Sequence, residues 1–246
     1  MKKRIIICGL SRSGTSLLYT LLANALPNIR FMEKEKSALN YEFDDDICLT
    51  KRPLDCFNLD QIMETYAGDD IRLLFSIRDP RDVICSVHQA APHDYFIGFQ
   101  NQYFINSAAN LATLTNPGLW DTFQVWSKYS KLPQIRTVRY EDLVTNAATT
   151  LERIGIFLDE DLLKNSQITE ATRIPEGMKA PLNGIRKIDS KSVGIWRKHP
   201  QRVWQEFTNH EKMHLIMSQW NYEANPNWFL RHFGQRLPIN FEWTTN

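Results

Sequence analysis

Cysteine is scarce, and what there is forms no pair: Cys8, Cys48, Cys56 and Cys85 are the only four in 246 residues, with no CxxC and no framework spacing. A disulfide scaffold, a zinc ribbon or a thiol redox motif is therefore not expected, and the four read as buried thiols acting as small hydrophobes. Six histidines are scattered without HExxH or any other metal-ligand spacing. No charge of one sign prevails either, since 29 Lys and Arg face 28 Asp and Glu. Nothing global advertises a nucleic-acid or acidic-membrane partner, so any anion site must be local. Long apolar runs are missing too. The start, MKKRIIICGL, imitates a secretory leader, but Gly9, Ser11 and Arg12 interrupt it before an apolar segment of the required length forms. No later stretch approaches a membrane span. The expectation is a soluble, cytoplasmic protein with no nucleic-acid and no membrane partner. Repeats, low-complexity tracts and Gly/Ser linkers are absent as well, and 43% apolar residues suffice for a substantial core. One domain over residues 1–246 is expected.

What is present alternates. Short apolar runs at Arg4 to Cys8, Ile47 to Thr50, Ile71 to Ile77 and Ile135 to Arg139 read as strands. Between them, amphipathic stretches at Gly14 to Leu26, Leu59 to Ala67, Pro80 to Ala90, Leu119 to Lys131 and Asp142 to Leu158 read as helices. Pro80 after Asp79 is a helix start, because the first turn has no use for the missing amide and aspartate caps its donors. Gln201 to Trp220 also reads as helical, whereas segments 91–117 and 167–199 and the tail 221–246 show no clear period. This order predicts a P-loop-NTPase-like, three-layer α/β/α fold with a central parallel sheet. Ligands of such sheets bind beyond the carboxyl ends of the strands.

Those strand ends are chemically loaded. The first is followed by GLSRSGTS, where Gly9 and Gly14 permit a tight turn with inward N–H groups and the next helix offers the positive end of its dipole. The spacing is that of an ATP-binding P-loop except that Thr15 stands where its lysine belongs, so a phosphate is expected here but ATP hydrolysis is not. Arg12 supplies a forked cation instead. Lys51 follows the second strand, Arg78 the third and Tyr140 the fourth. In a parallel sheet these converge on one crevice.

At this point the chain resembles the sulfotransferases that use 3′-phosphoadenosine 5′-phosphosulfate, PAPS, and the likeness covers most of its length. GLSRSGTS is similar to the family's 5′-phosphosulfate loop, which assigns Ser11, Arg12, Ser13, Gly14, Thr15 and Ser16 to that end of the co-substrate. RDPRDVICS resembles the 3′-phosphate motif, with Arg78 and Ser86 eight positions apart. VRYEDLVTNAATTLERIGIFLD is similar to the tyrosine-led segment beside the adenine, which points to Tyr140. DSKSVGIWRK resembles the late loop over the 3′-phosphate, which adds Ser190, Lys191 and Ser192, although the family's frequent leading RKG is lacking. LTKRPLD departs from the KTHLP-like run of phenol and steroid enzymes, with Pro53 in the place of their histidine. It is closer to the branch of tyrosylprotein and bacterial-type enzymes, whose base is a glutamate after the first helix. Glu33 is the better match for it and Glu35 the other candidate.

The resemblance implies a PAPS-dependent sulfotransferase (EC 2.8.2.-) that moves a sulfuryl group to a hydroxyl or amine acceptor and releases 3′,5′-ADP. Arg12 and Lys51 would stabilise charge on the leaving phosphate, Glu33 would take the acceptor proton, and no metal is expected. The acceptor is a small molecule, a carbohydrate or a peptide, and the oligomeric state is open. A P-loop nucleotide kinase and a noncatalytic nucleotide-binding protein are the competing expectations.

Overall fold

The computed structural model describes residues 1–30, 35–40, 45–88, 91, 95–106, 111–164 and 188–235. The chain divides into two compact units, residues 1–78 with 125–190 and residues 79–124 with 191–246.

The first unit is built on four parallel strands, β1 (Lys3–Gly9), β2 (Ile47–Lys51), β3 (Asp70–Ile77) and β6 (Ile135–Arg139), in the order β2-β1-β3-β6. Ile5, Ile6 and Ile7 are all buried, as the continuous apolar run of a strand covered on both faces should be. Register aligns Ile5 with Leu49, Ile7 with Lys51 and Leu74, and Ser76 with Val138. On that face Ile5, Ile7, Leu49, Leu74 and Val138 join Leu18, Leu21 and Leu22 of α1 (Thr15–Ala25), Leu143 of α5 (Tyr140–Thr145) and Leu151, Ile154 and Leu158 of α6 (Ala147–Leu158). Each such side chain contributes about 1.5–3 kcal/mol by leaving water. The opposite face meets different elements. Tyr66, just after α2 (Leu59–Thr65), covers the Arg4 guanidinium at 3.7 Å, and Trp126 of α4 (Leu119–Tyr129) donates to Thr137 Oγ1 at 2.9 Å. Helices on both faces of a parallel sheet make the expected three layers.

The second unit contains α3 (Pro80–Ile84), the antiparallel pair β4 (Gln102–Asn106) and β5 (Leu111–Thr115), a 3-10 turn (Ile195–Lys198), α7 (Pro200–Asn209), α8 (Met213–Gln219) and α9 (Asn227–Phe233). Val203, Phe207, Met213, Ile216, Met217, Trp220, Trp228 and Phe229 form its buried interior.

Four expectations need correction. The helix from Pro80 stops at Ile84 instead of running to Ala90: Ser86 turns both its N–H (3.0 Å) and its hydroxyl (2.7 Å) onto the Val83 carbonyl, which a continuing helix would offer to residue 87. The Asp142 to Leu158 helix is two helices, broken at Asn146, whose φ of −136° and ψ of 50° are not helical. Gln201 to Trp220 is likewise broken around His210. All three aperiodic stretches hold structure: the β4–β5 pair, the 3-10 turn Ile195–Lys198, and α9, whose Trp228 and Phe229 are both buried, so that no single polar face marks the helix.

Candidate functional site

The glycine loop after β1 owes its shape to three residues in left-handed conformations, Gly9 (φ 115°), Arg12 (φ 67°) and Gly14 (φ 83°). A Cβ on Gly9 would lie 2.5 Å from the Ser76 carbonyl, and one on Gly14 would lie 2.4 Å from the Tyr140 ring. Glycine is thus required at both places by space as well as by φ. Ser13 is fully buried and its hydroxyl donates to the carbonyls of Leu10 (2.5 Å) and Ser76 (3.1 Å), while the Ser76 hydroxyl donates to the Ser13 carbonyl at 2.8 Å. That reciprocal latch ties the loop to β3. Gly14 is the N-cap of α1 and has no side chain with which to cap it, so the first-turn N–H groups, flanked by the Thr15 and Ser16 hydroxyls, present the positive end of the helix. Ser11 is half-buried beside them.

Two guanidinium groups meet at this loop. Arg78, 7% exposed and one residue past β3, donates from Nη1 to the Arg12 carbonyl at 3.3 Å and lies 4.6 Å over the Tyr140 ring. Burial and the neighbouring Arg78 charge lower the Arg12 pKa, with Tyr140 opposing. Two like charges, one buried and one half-buried, favour an anion between them. The structure therefore joins Arg12, Gly14, Arg78 and Tyr140, as the strand-end rule predicts. Lys51 stands at the end of the adjacent strand, level with Ile7, and is 3% exposed.

Lys51 is ion-paired to Glu35. The segment that carries Glu35 is fastened by Asp55, a fully buried carboxylate accepting from the Ser37 hydroxyl and the Ala38 N–H, each at 2.8 Å. Burial raises the Asp55 pKa against those two hydrogen bonds. Glu33, the other candidate base, lies outside the described residues.

In the second unit the acidic residues of RDPRDVICS have defined partners. Asp79 caps α3 by accepting from the Arg81 N–H at 2.9 Å and takes the Arg81 side chain as well, Nη2 to Oδ2 at 2.6 Å. Asp82 accepts from the Gly194 and Trp196 N–H groups. Ser86 is 4% exposed with its hydroxyl on Val83. Of the late loop, Ser190 and Lys191 are exposed, Ser192 half-buried and Trp196 buried.

Comparison with known proteins fits this geometry: the family described as "Sulfotransferase domain" matches residues 2–199. The chain belongs to the sulfotransferase family. Among solved structures this sulfotransferase is similar to the mouse sulfotransferase SULT7A1 complexed with PAP, at 14% identity and a TM-score of 0.50 over 88% of each chain. It is also similar to the sulfotransferase domain from the curacin biosynthetic pathway, at 15% identity and a TM-score of 0.57 over 91% of this chain and 99% of that one. Likeness at these identities establishes the fold. No curated protein matches in sequence.

Sequence reasoning on this sulfotransferase passed over Ser76, Asp55 and Asp82. Asp82 had a usable signal, an aspartate in the first turn of a helix that also begins with an aspartate cap. Ser76 and Asp55 had none, because their partners lie 63 and 17–18 residues away. No helix among the described residues is long and apolar enough to cross a membrane. All four cysteines are free and buried, and burial raises each of their pKa values.

Proposed function

We propose that this sulfotransferase transfers a sulfuryl group from PAPS to a hydroxyl or amine acceptor, releasing 3′,5′-ADP, with residues 1–246 acting as a single sulfotransferase-like domain. The observation that carries the reading is the meeting of Arg12 and Arg78 at a glycine loop that opens a helix. One buried and one half-buried guanidinium with a helix N-terminus suit a ligand with several negative oxygens, and PAPS, when bound, supplies the transferable sulfuryl group.

The loop amides, Ser11, Ser13, Arg12, Thr15 and Ser16 hold the 5′-phosphosulfate end. Ser13 contributes by shaping the loop, since its hydroxyl is engaged with Leu10 and Ser76 and its N–H with the Leu10 carbonyl at 3.3 Å. Lys51 adds charge near the leaving oxygen, and a fixed cation there stabilises what develops in the transition state. Arg78 with Ser86, Ser190, Lys191 and Ser192 holds the 3′-phosphate, and Tyr140 lies beside the adenine. Glu33 takes the acceptor proton. Glu35, already on Lys51, is the alternative base. The acceptor is a small molecule, a carbohydrate or a peptide. Side-chain cations carry the charge stabilisation, so no metal takes part. Four free thiols support a reducing, cytoplasmic setting.

Turnover of PAPS against phenol, sugar and peptide acceptors in EDTA tests the proposal. Acceptor-dependent release of 3′,5′-ADP, unchanged by EDTA, is expected. Consumption of ATP that requires Mg²⁺ would establish a kinase, and tight 3′,5′-ADP binding without turnover on any acceptor would establish a noncatalytic binder.

A further inference from the structure

We infer that Asp82 is a positioning residue for the loop of residues 191–198, setting selectivity for a nucleotide that carries a 3′-phosphate; the inference rests on the assignment of that loop and Ser86 to the 3′-phosphate. Asp82 is fully buried, and its two carboxylate oxygens accept from two backbone amides of the loop, Oδ2 from Gly194 at 2.8 Å and Oδ1 from Trp196 at 3.0 Å. Gly194 is the N-cap of the 3-10 turn Ile195–Lys198, at φ 75°, and has no side chain to satisfy that turn. Asp82 does from a distant helix what a capping side chain does locally. A buried carboxylate so engaged is held by charge-assisted bonds, and a loop amide cannot leave it without stranding the charge.

Arg81, the preceding residue, secures the same loop by its ring. Its guanidinium lies 4.5 Å from the Trp196 ring and 4.7 Å from the Trp228 ring, with Nη1 donating to Glu223 Oε1 at 2.9 Å. Burial opposes the charge on Arg81, but Asp79 and Glu223 outweigh it and leave its pKa raised. Successive residues of α3 thus grip the backbone and the ring of one short turn. Lys191 and Ser192 stand just before the gripped residues, and Ser86 four positions after Asp82. Neither the cap nor the stacked arginine touches a ligand in this assignment. Their effect is to fix where the lysine and serines are held.

Calorimetry with 3′,5′-ADP and 5′-AMP on the wild type, Asp82→Asn, Lys191→Ala and the double variant decides the matter. If the wild type does not prefer 3′,5′-ADP, the 3′-phosphate assignment itself fails. Given a preference, Asp82→Asn should weaken 3′,5′-ADP by roughly tenfold or more and leave AMP within about twofold. Lys191→Ala should then cost nothing further in the Asp82→Asn background. Equal losses for both nucleotides, an unchanged ratio, or additive Lys191 and Asp82 effects would overturn the inference. Should Asp82→Asn fail to fold, Gly194→Ala displaces the same turn without touching α3, because its Cβ would lie 2.2 Å from Arg197 Nη1 at φ 75°. It must show the same selective loss, and an unchanged ratio there also overturns the inference.

Discussion

Arg78→Ala should cost 3′,5′-ADP far more affinity than 5′-AMP. The wild-type side chain is 7% exposed, so its charge meets a ligand with little water between them. Removing one member of a desolvated, hydrogen-bonded charge pair costs about 2–4 kcal/mol, a roughly 30- to 700-fold rise in Kd. Two smaller effects reach both nucleotides. The bond from Arg78 to the Arg12 carbonyl is lost, worth about 1 kcal/mol or roughly fivefold. Removing Arg78 also takes a positive charge from beside Arg12, which loosens the 5′ end of both nucleotides alike. AMP should therefore lose roughly fivefold to tenfold. Isothermal titration of both nucleotides against both proteins reads the two numbers directly. Equal losses would show that Arg78 braces the loop and does not contact the 3′-phosphate, and the assignment would then be wrong.

Glu33→Gln should lower kcat by about a hundredfold or more with cofactor affinity nearly unchanged, as loss of a general base does; normal turnover there with collapse in Glu35→Gln would move the base to Glu35. His214 is buried among Phe207, Trp228 and Phe229, and burial holds its pKa down to about 4 from the ordinary 6.5. As pH falls below 6.5 the unfolded chain takes up that proton first, so stability should drop by about 2 kcal/mol between pH 7.5 and 5. Urea denaturation should show this, His214→Leu should flatten it, and a wild-type midpoint independent of pH would refute it. Gly14→Ala forces a Cβ to within 2.4 Å of the Tyr140 ring at φ 83°, a conformation costing about 1 kcal/mol without glycine. Nucleotide affinity by calorimetry should fall at least roughly tenfold, and full retention would mean that the loop adapts.

Strand ends were the most legible part of the chain. Gly9, Lys51, Arg78 and Tyr140 each follow a run whose apolar pattern has a local cause, and a parallel sheet brings such ends together whatever the intervening sequence. Helix ends were less so. Asn146 and Ser86 end helices through particular backbone angles and a hydroxyl on a nearby carbonyl, neither of which alters the apolar period. The β4–β5 pair is hidden because Phe104, Leu111 and Leu114 are exposed, leaving no alternation between core and solvent to read. Within the site, Arg12 and Arg78 were visible as cations at expected places. The Lys51–Glu35 pair, by contrast, depends on Asp55 holding residues 37 and 38, a contact without sequence periodicity.

The exchange of hydrogen bonds between Ser13 and Ser76 has a thermodynamic consequence for recognition. Arg78 lies two residues beyond Ser76, and Arg12 lies next to Ser13, so the latch makes the two cations parts of one stiff body. The entropy of ordering the glycine loop is then lost when the chain folds and not again at each encounter with ligand. Amides on either side of the latch share one opening event, so nucleotide binding should slow their hydrogen exchange by a common factor. Ser76→Ala removes one half of the exchange and leaves the Ser13 hydroxyl on the Ser76 carbonyl, so it should weaken this coupling and let the glycine loop open more often than β3.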